Sequence, residues 1–142
     1  LKRKHIKNVF YLCIAFMVSA FATVLPLSKT QGQPEYNSIS SLKQQAEKED
    51  LNVYSFNTVS PEMIWQFGDK IPSIKINDST YNFPDEHSFG LLANNLSPED
   101  ESLLKNNYIM EQHDTYDLNR NAPNKRGYKK RLVSNYYILT KK

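Results

Sequence analysis

Nineteen consecutive residues, Val9–Leu27, carry no charged side chain: "VFYLCIAFMVSAFATVLPL". As a helix rising about 1.5 Å per residue this run is about 28 Å long, close to the roughly 30 Å of a bilayer's hydrocarbon core. The basic residues Lys2, Arg3, Lys4 and Lys7 stand only on its N-terminal side. Positive flanks stay cytoplasmic, so the sequence predicts a span in the cytoplasmic (inner) membrane with everything after Leu27 exported. A cleaved leader is the competing reading, because "AFA" at Ala20–Ala22 is an A-x-A pattern behind an apolar region. Against it, apolar residues continue past that point to Pro26 and Leu27. A lipid-modified Cys13 fits poorly, since bulky Tyr11 and Leu12 precede it. Leu at position 1 is compatible with an alternative start, with processing, or with a longer reading frame.

The charge pattern narrows what the remainder does. Residues 28–117 carry six basic and fifteen acidic groups, whereas residues 118–142 carry eight basic groups and no acidic ones. An acidic body with a basic end excludes a general nucleic-acid binder, whose body would be basic. Cys13 is the only cysteine, so neither an intrachain disulfide nor a thiolate metal site is expected. His5, His87 and His113 lack metal-ligand spacing. Gly32, Gly68, Gly90 and Gly127 stand alone, so no phosphate-cradling loop is expected, and no G-x-S-x-G motif offers a nucleophile. No cofactor and no catalytic residue are assigned.

The exported part reads as alternating elements. Residues 28–39 form a polar linker with Gly32 and Pro34. "SSLKQQAEKED" predicts a short helix with Leu42 and Ala46 on one face. "LNVYSF" (Leu51–Phe56) predicts a strand. In "SPEMIWQFG", Ser60 is a natural N-cap, Pro61 suits the first turn and Gly68 suits the C-cap. Met63, Ile64 and Phe67 are expected to meet a sheet. "IPSIKI" (Ile71–Ile76) predicts a second strand, parallel to the first through a crossover. Asn77-Asp78-Ser79 marks a turn and a short N-x-S match, before a brief strand "TYNF". "SFGLLA" (Ser88–Ala93) predicts a buried strand. Ser97 caps a helix with Leu103 and Leu104 inward. Tyr108–Asn119 and Leu132–Thr140 predict two further strands. The fold class is therefore α/β: an N-terminal transmembrane helix (9–27) behind a basic flank (1–8), then a small domain (40–142) with a mixed sheet.

Two acidic groupings invite an acid–base reading. Glu99, Asp100 and Glu101 are better explained by the positive end of the helix they open. Asp114 and Asp117, close together on an extended segment, are expected to be structural or turn-forming. The most pointed segment is "NKRGYKKR" (Asn124–Arg131), where Lys125, Arg126, Lys129, Lys130 and Arg131 surround Tyr128. These five cations are the candidate contacts for anionic lipid headgroups or a lipid-linked phosphate. A solvated loop balancing the acidic body is the plain alternative.

"VYSFNTVSPEMIWQFGDKIP" (Val53–Pro72) and "DTYDLNRNAPNKRGYKKRLVSNYYILTKK" (Asp114–Lys142) resemble the C-terminal extracytoplasmic domain of aminoarabinose transferase-like glycosyltransferases, integral-membrane enzymes akin to protein mannosyltransferases. In that family a last transmembrane span directly precedes such a domain. The resemblance implies the final span and tail of an enzyme that moves sugar from a polyprenyl-phosphate carrier. Its implied partners are the bilayer, the remaining transmembrane part of the transferase and a lipid-linked sugar. The family's catalytic acids lie in an early loop that nothing here matches, so the resemblance implies no catalysis by this chain alone. A stand-alone, single-span or secreted binding or scaffold protein is the alternative.

Overall fold

The computed structural model describes residues 3–30, 35–77 and 80–142. The chain forms two units, divided between Pro34 and Glu35. The first is helix α1, Arg3–Thr30. It begins inside the expected basic flank and continues past Leu27 into the expected linker. Residues 31–34 of that linker lie outside the described residues, as do Asp78 and Ser79 of the turn and the N-x-S match. His5–Leu25 is long and apolar enough to cross a membrane, and none of its apolar surface is buried. Phe10, Leu12, Phe16, Val18 and Phe21 are each at least 60% exposed. A helix that is apolar all round requires an apolar solvent or partner.

The second unit runs from Glu35 to Lys142. It starts before residue 40 because Asn37 is already tied to it: its amide donates to the Asp117 carbonyl at 2.9 Å and its carbonyl accepts from the Asp117 amide at 3.1 Å. A 3-10 turn, Ile39–Ser41, leads into α2, Leu42–Lys48. Strand β1 (Val53–Ser55), helix α3 (Pro61–Phe67), β2 (Lys75–Asn77) and β3 (Thr80–Tyr81) follow. Then come β4 (Ser88–Ala93), α4 (Pro98–Asn107), β5 (Tyr108–Asp117) and β6 (Val133–Lys141). The main sheet has the order β1-β4-β6-β5. Strands β1 and β4 are parallel, and β6 is antiparallel to both β4 and β5. The mixed α/β class predicted from the sequence is the one observed.

The burial of β4 organises the core. Phe89, Leu91 and Ala93 point to one side and join Phe56, Ile74, Leu104, Tyr108 and Leu139. Leu92 points to the other side and joins Ile39, Leu42, Val53, Met63, Phe67 and Tyr136. The sheet is thus covered by α2 and α3 on one face and by α4 with the β2–β3 hairpin on the other. Both faces of β4 are dry, which is why it reads as an unbroken apolar run. Gly90 belongs to the same face as Leu92. A Cβ there would stand 2.5 Å from the Tyr136 hydroxyl, so the buried tyrosine occupies room that only glycine leaves.

Helix α3 follows its local code. The Ser60 side chain accepts from the Met63 amide, Pro61 opens the first turn, and Gly68 closes the helix at φ 80°. The expected inward trio is reduced to a pair. Met63 and Phe67 are buried, but Ile64 is 36% exposed, because one turn of a seven-residue helix presents only one face to the sheet. In α4, Leu104 is buried while Leu103 is half-buried.

The predicted strand Ile71–Ile76 is shorter than expected. It lies parallel to β1 only through the Ser55–Ser73 bridge. Ser55 donates to the Pro72 carbonyl and Ile74 donates back to Ser55, both at 2.8 Å. The chain then turns away as β2 to pair with β3. The departure carries Lys75 to Asp100 across α4, at 3.0 and 3.1 Å.

Strand β5 is the far edge. Its middle, Glu111–Thr115, is exposed, and its register with β6 shifts between Gln112 and Asp114. Charges and a bulge on an edge strand disfavour pairing with another chain.

Candidate functional site

The basic loop between β5 and β6 is built on a buried polar knot. Asp117 and Asn119 are 5% and 2% exposed. Asp117 Oδ1 accepts from the Asn119 amide at 2.7 Å and from its Nδ2 at 2.8 Å. The Asn119 side chain then clasps the backbone of Lys129, donating to its carbonyl at 3.1 Å and accepting from its amide at 2.7 Å. Asn94 Nδ2 donates to the Lys130 carbonyl at 3.1 Å, which pins the loop to the end of β4. Gly127 turns the chain at φ 102°. Tyr128 leans inward, and burial, followed by the Asp117 charge, raises its hydroxyl's pKa. The knot uses side-chain amide and carboxylate groups to hold backbone, as asparagine and aspartate commonly do in turns.

With its backbone fixed, the loop projects its charge. Lys125, Arg126, Lys129, Lys130 and Arg131 are all exposed. Arg131 is committed: its two terminal nitrogens reach the two Glu62 oxygens of α3 at 2.8 and 2.7 Å. That hydrogen-bonded fork, helped by the backbone of Glu62 and by the charges of Arg131 and Lys129, holds the Glu62 carboxyl down at about 2. Among the described residues no ion pair engages Lys125, Arg126, Lys129 or Lys130. The structure therefore splits the five predicted cations into one structural arginine and four projecting groups.

Arg131 also borders an open cleft of about 460 Å³, with Asn57, Thr58, Ser60, Asn94 and Asn95. The cleft lies beyond the C-terminal ends of the parallel strands β1 and β4, where open α/β sheets generally place ligands. Its lining mixes amide and hydroxyl groups with the apolar Val59 and Pro61.

Asp114, Asp117, Asp100 and Glu101 are each engaged in contacts within the fold. Asp114 Oδ1 accepts from Asn37 Nδ2 at 3.1 Å, and Asp117 serves the knot. Asp100 accepts from Lys75 and from the Tyr81 hydroxyl. Among the described residues no three His, Cys, Asp or Glu side chains converge as metal ligands.

One surface residue escaped the sequence reading. Trp65, on α3, is 86% exposed. The signal was available in the spacing: Trp65 is two positions from both Met63 and Phe67, which places it opposite their face.

No protein-family model matches the chain, and no curated protein or solved structure is significantly similar to it.

Proposed function

We propose that this chain is a single-span, membrane-anchored binding domain that does not catalyse a reaction by itself. The observation that carries the reading is α1. Its His5–Leu25 window has a mean hydropathy of 2.0 with no part buried, while residues 35–142 close a core of their own. The basic N-terminal flank favours a cytoplasmic N-terminus and an extracytoplasmic domain. The fixed loop with Lys125, Arg126, Lys129 and Lys130 is suited to phosphate, because a pinned backbone holds four exposed cations close together.

The anchor has a direct test. Full-length chain is expected to float with lipid vesicles and to resist alkaline carbonate. Leu12→Arg together with Phe16→Arg is expected to abolish both, each arginine near the middle of a span costing about 2.5–3.5 kcal/mol. Release of the unmodified chain by carbonate would remove the basis for the reading.

A second reading is the tail of a polyprenyl-phosphate sugar transferase. It is favoured by Val53–Pro72, which folds as strand, capped helix, glycine end and a return beside the strand. This is the order of the domain it resembles. In that reading the loop faces the phosphate of a lipid-linked sugar, and the remaining spans supply catalysis. An upstream reading frame encoding further spans would support it. An unrelated upstream gene would sink it.

A further inference from the structure

Trp65 is the only tryptophan of the chain. It stands 86% exposed beside Ile64, and with Pro61 and Gly68 it lines an open apolar hollow. A large aromatic side chain held outside the core, next to other apolar groups, marks a contact surface. Its neighbourhood shows which kind. Trp65 follows Glu62 by three positions and Pro61 by four, so the three share one side of α3. Glu62 is forked to Arg131, which joins that side of the helix to the basic loop.

Both acids of α3 and its C-terminal turn are already paired: Glu62 with Arg131, and Asp69 with Lys43 at 2.9 Å. Lys70, next in the chain, is exposed, as are Lys125, Arg126, Lys129 and Lys130. Apolar groups and projecting cations therefore lie on connected elements, with Glu62 and Asp69 each paired within the fold and Glu35 the remaining acid whose charge reaches Tyr128 of the loop. A protein partner's apolar patch would not need the cations. A free phosphate would not need the indole. An anionic bilayer surface uses both, because indole rings favour the headgroup level and cations are drawn to acidic lipid headgroups.

We propose that Trp65 and Ile64 seat in the headgroup region of an anionic bilayer while Lys125, Arg126, Lys129 and Lys130 contact its phosphates. This rests on the membrane-anchored reading above, because covalent attachment to a span keeps the domain at high effective concentration near lipid.

The single indole makes the test specific. Full-length chain is reconstituted into vesicles of phosphatidylcholine, or of phosphatidylcholine mixed with phosphatidylglycerol, each carrying bromine on the acyl chains. Trp65 emission is expected to shift to the blue and to be quenched several-fold more strongly in the mixed vesicles. Replacing the four loop cations by Gln is expected to return quenching to the level in phosphatidylcholine. Adding inorganic phosphate to phosphatidylcholine vesicles is expected to change nothing. Unquenched, water-like emission in the mixed vesicles, from chain that still resists carbonate, would overturn this contact and leave the anchor reading standing. Equal quenching in both lipids would overturn the role of the cations. Chain that carbonate releases would overturn the anchor reading itself. A phosphate-induced shift without quenching would assign the face to a free anion instead.

Discussion

Asp100→Ala is expected to destabilise the domain formed by residues 35–142 by roughly 3 kcal/mol, as removal of one partner from a buried ion pair does. Lys75 Nζ sits 3.0 and 3.1 Å from the two Asp100 oxygens, and the side chains are 16% and 8% exposed. The ammonium also lies 5.6 Å from the Phe56 ring centroid and 5.7 Å from that of Tyr81. Removing the carboxylate breaks the ion pair between Lys75 and Asp100. Lys75→Met strands the carboxylate instead, at a similar cost. Lys75→Met with Asp100→Leu is expected to recover most of the loss, because the pair is replaced rather than broken. Denaturant midpoints of the three variants decide the matter, and simple addition of the two single losses would contradict it.

The same pair fixes a pH dependence. Burial pushes the Asp100 carboxyl up, but hydrogen bonds with Lys75, Ser97 and Tyr81 outweigh it and hold the carboxyl below its ordinary value. A group whose folded pKa is lowered contributes stability that is complete above the ordinary carboxylate range. That stability is lost as pH falls through the lowered value. Asp100→Asn is expected to flatten this part of the acid limb of unfolding.

Asn119→Ala is the second large effect, a loss of about 2–4 kcal/mol. Two backbone groups of Lys129 would lose their partner together, and each polar group left unsatisfied in a buried setting costs about 1–3 kcal/mol. For a domain of this size the melting temperature falls by about 4–8 °C per kcal/mol. Asn119→Asp is expected to be no milder, because it sets a second carboxylate where Nδ2 stood 2.8 Å from Asp117 Oδ1. Amide exchange across Lys125–Arg131 is expected to accelerate in both variants as the loop leaves its anchor. A melting temperature within a degree or two of the parent would mean that the knot does not hold the loop.

Much of the fold was legible because its determinants are local. Ser60, Pro61 and Gly68 bound α3 through groups at most four residues apart, and Ser97 and Pro98 do the same for α4. The unbroken apolar run of β4 needed no partner to be recognised. The fate of Ile71–Ile76 was not legible, since strand propensity does not say which neighbour a strand takes. Lys75 meets Asp100 across 25 positions, and Arg131 meets Glu62 across 69. Neither separation leaves a trace in spacing. The candidate site divides in the same way. Its five cations stood together in the sequence, but the commitment of Arg131 and the knot beneath Lys129 exist only in the folded chain. Trp65 was left unassigned although its place was local information, two positions from both Met63 and Phe67.

The central claim is that α1 lies in lipid, and Cys13 offers the most direct test of it. It is the only cysteine, it is exposed on α1, and it sits well inside the His5–Leu25 segment. In intact vesicles Cys13 of the full-length chain is predicted to resist a membrane-impermeant maleimide and to react once detergent dissolves the bilayer. Rapid labelling in sealed vesicles, at the rate seen in detergent, would place α1 in water and contradict the account.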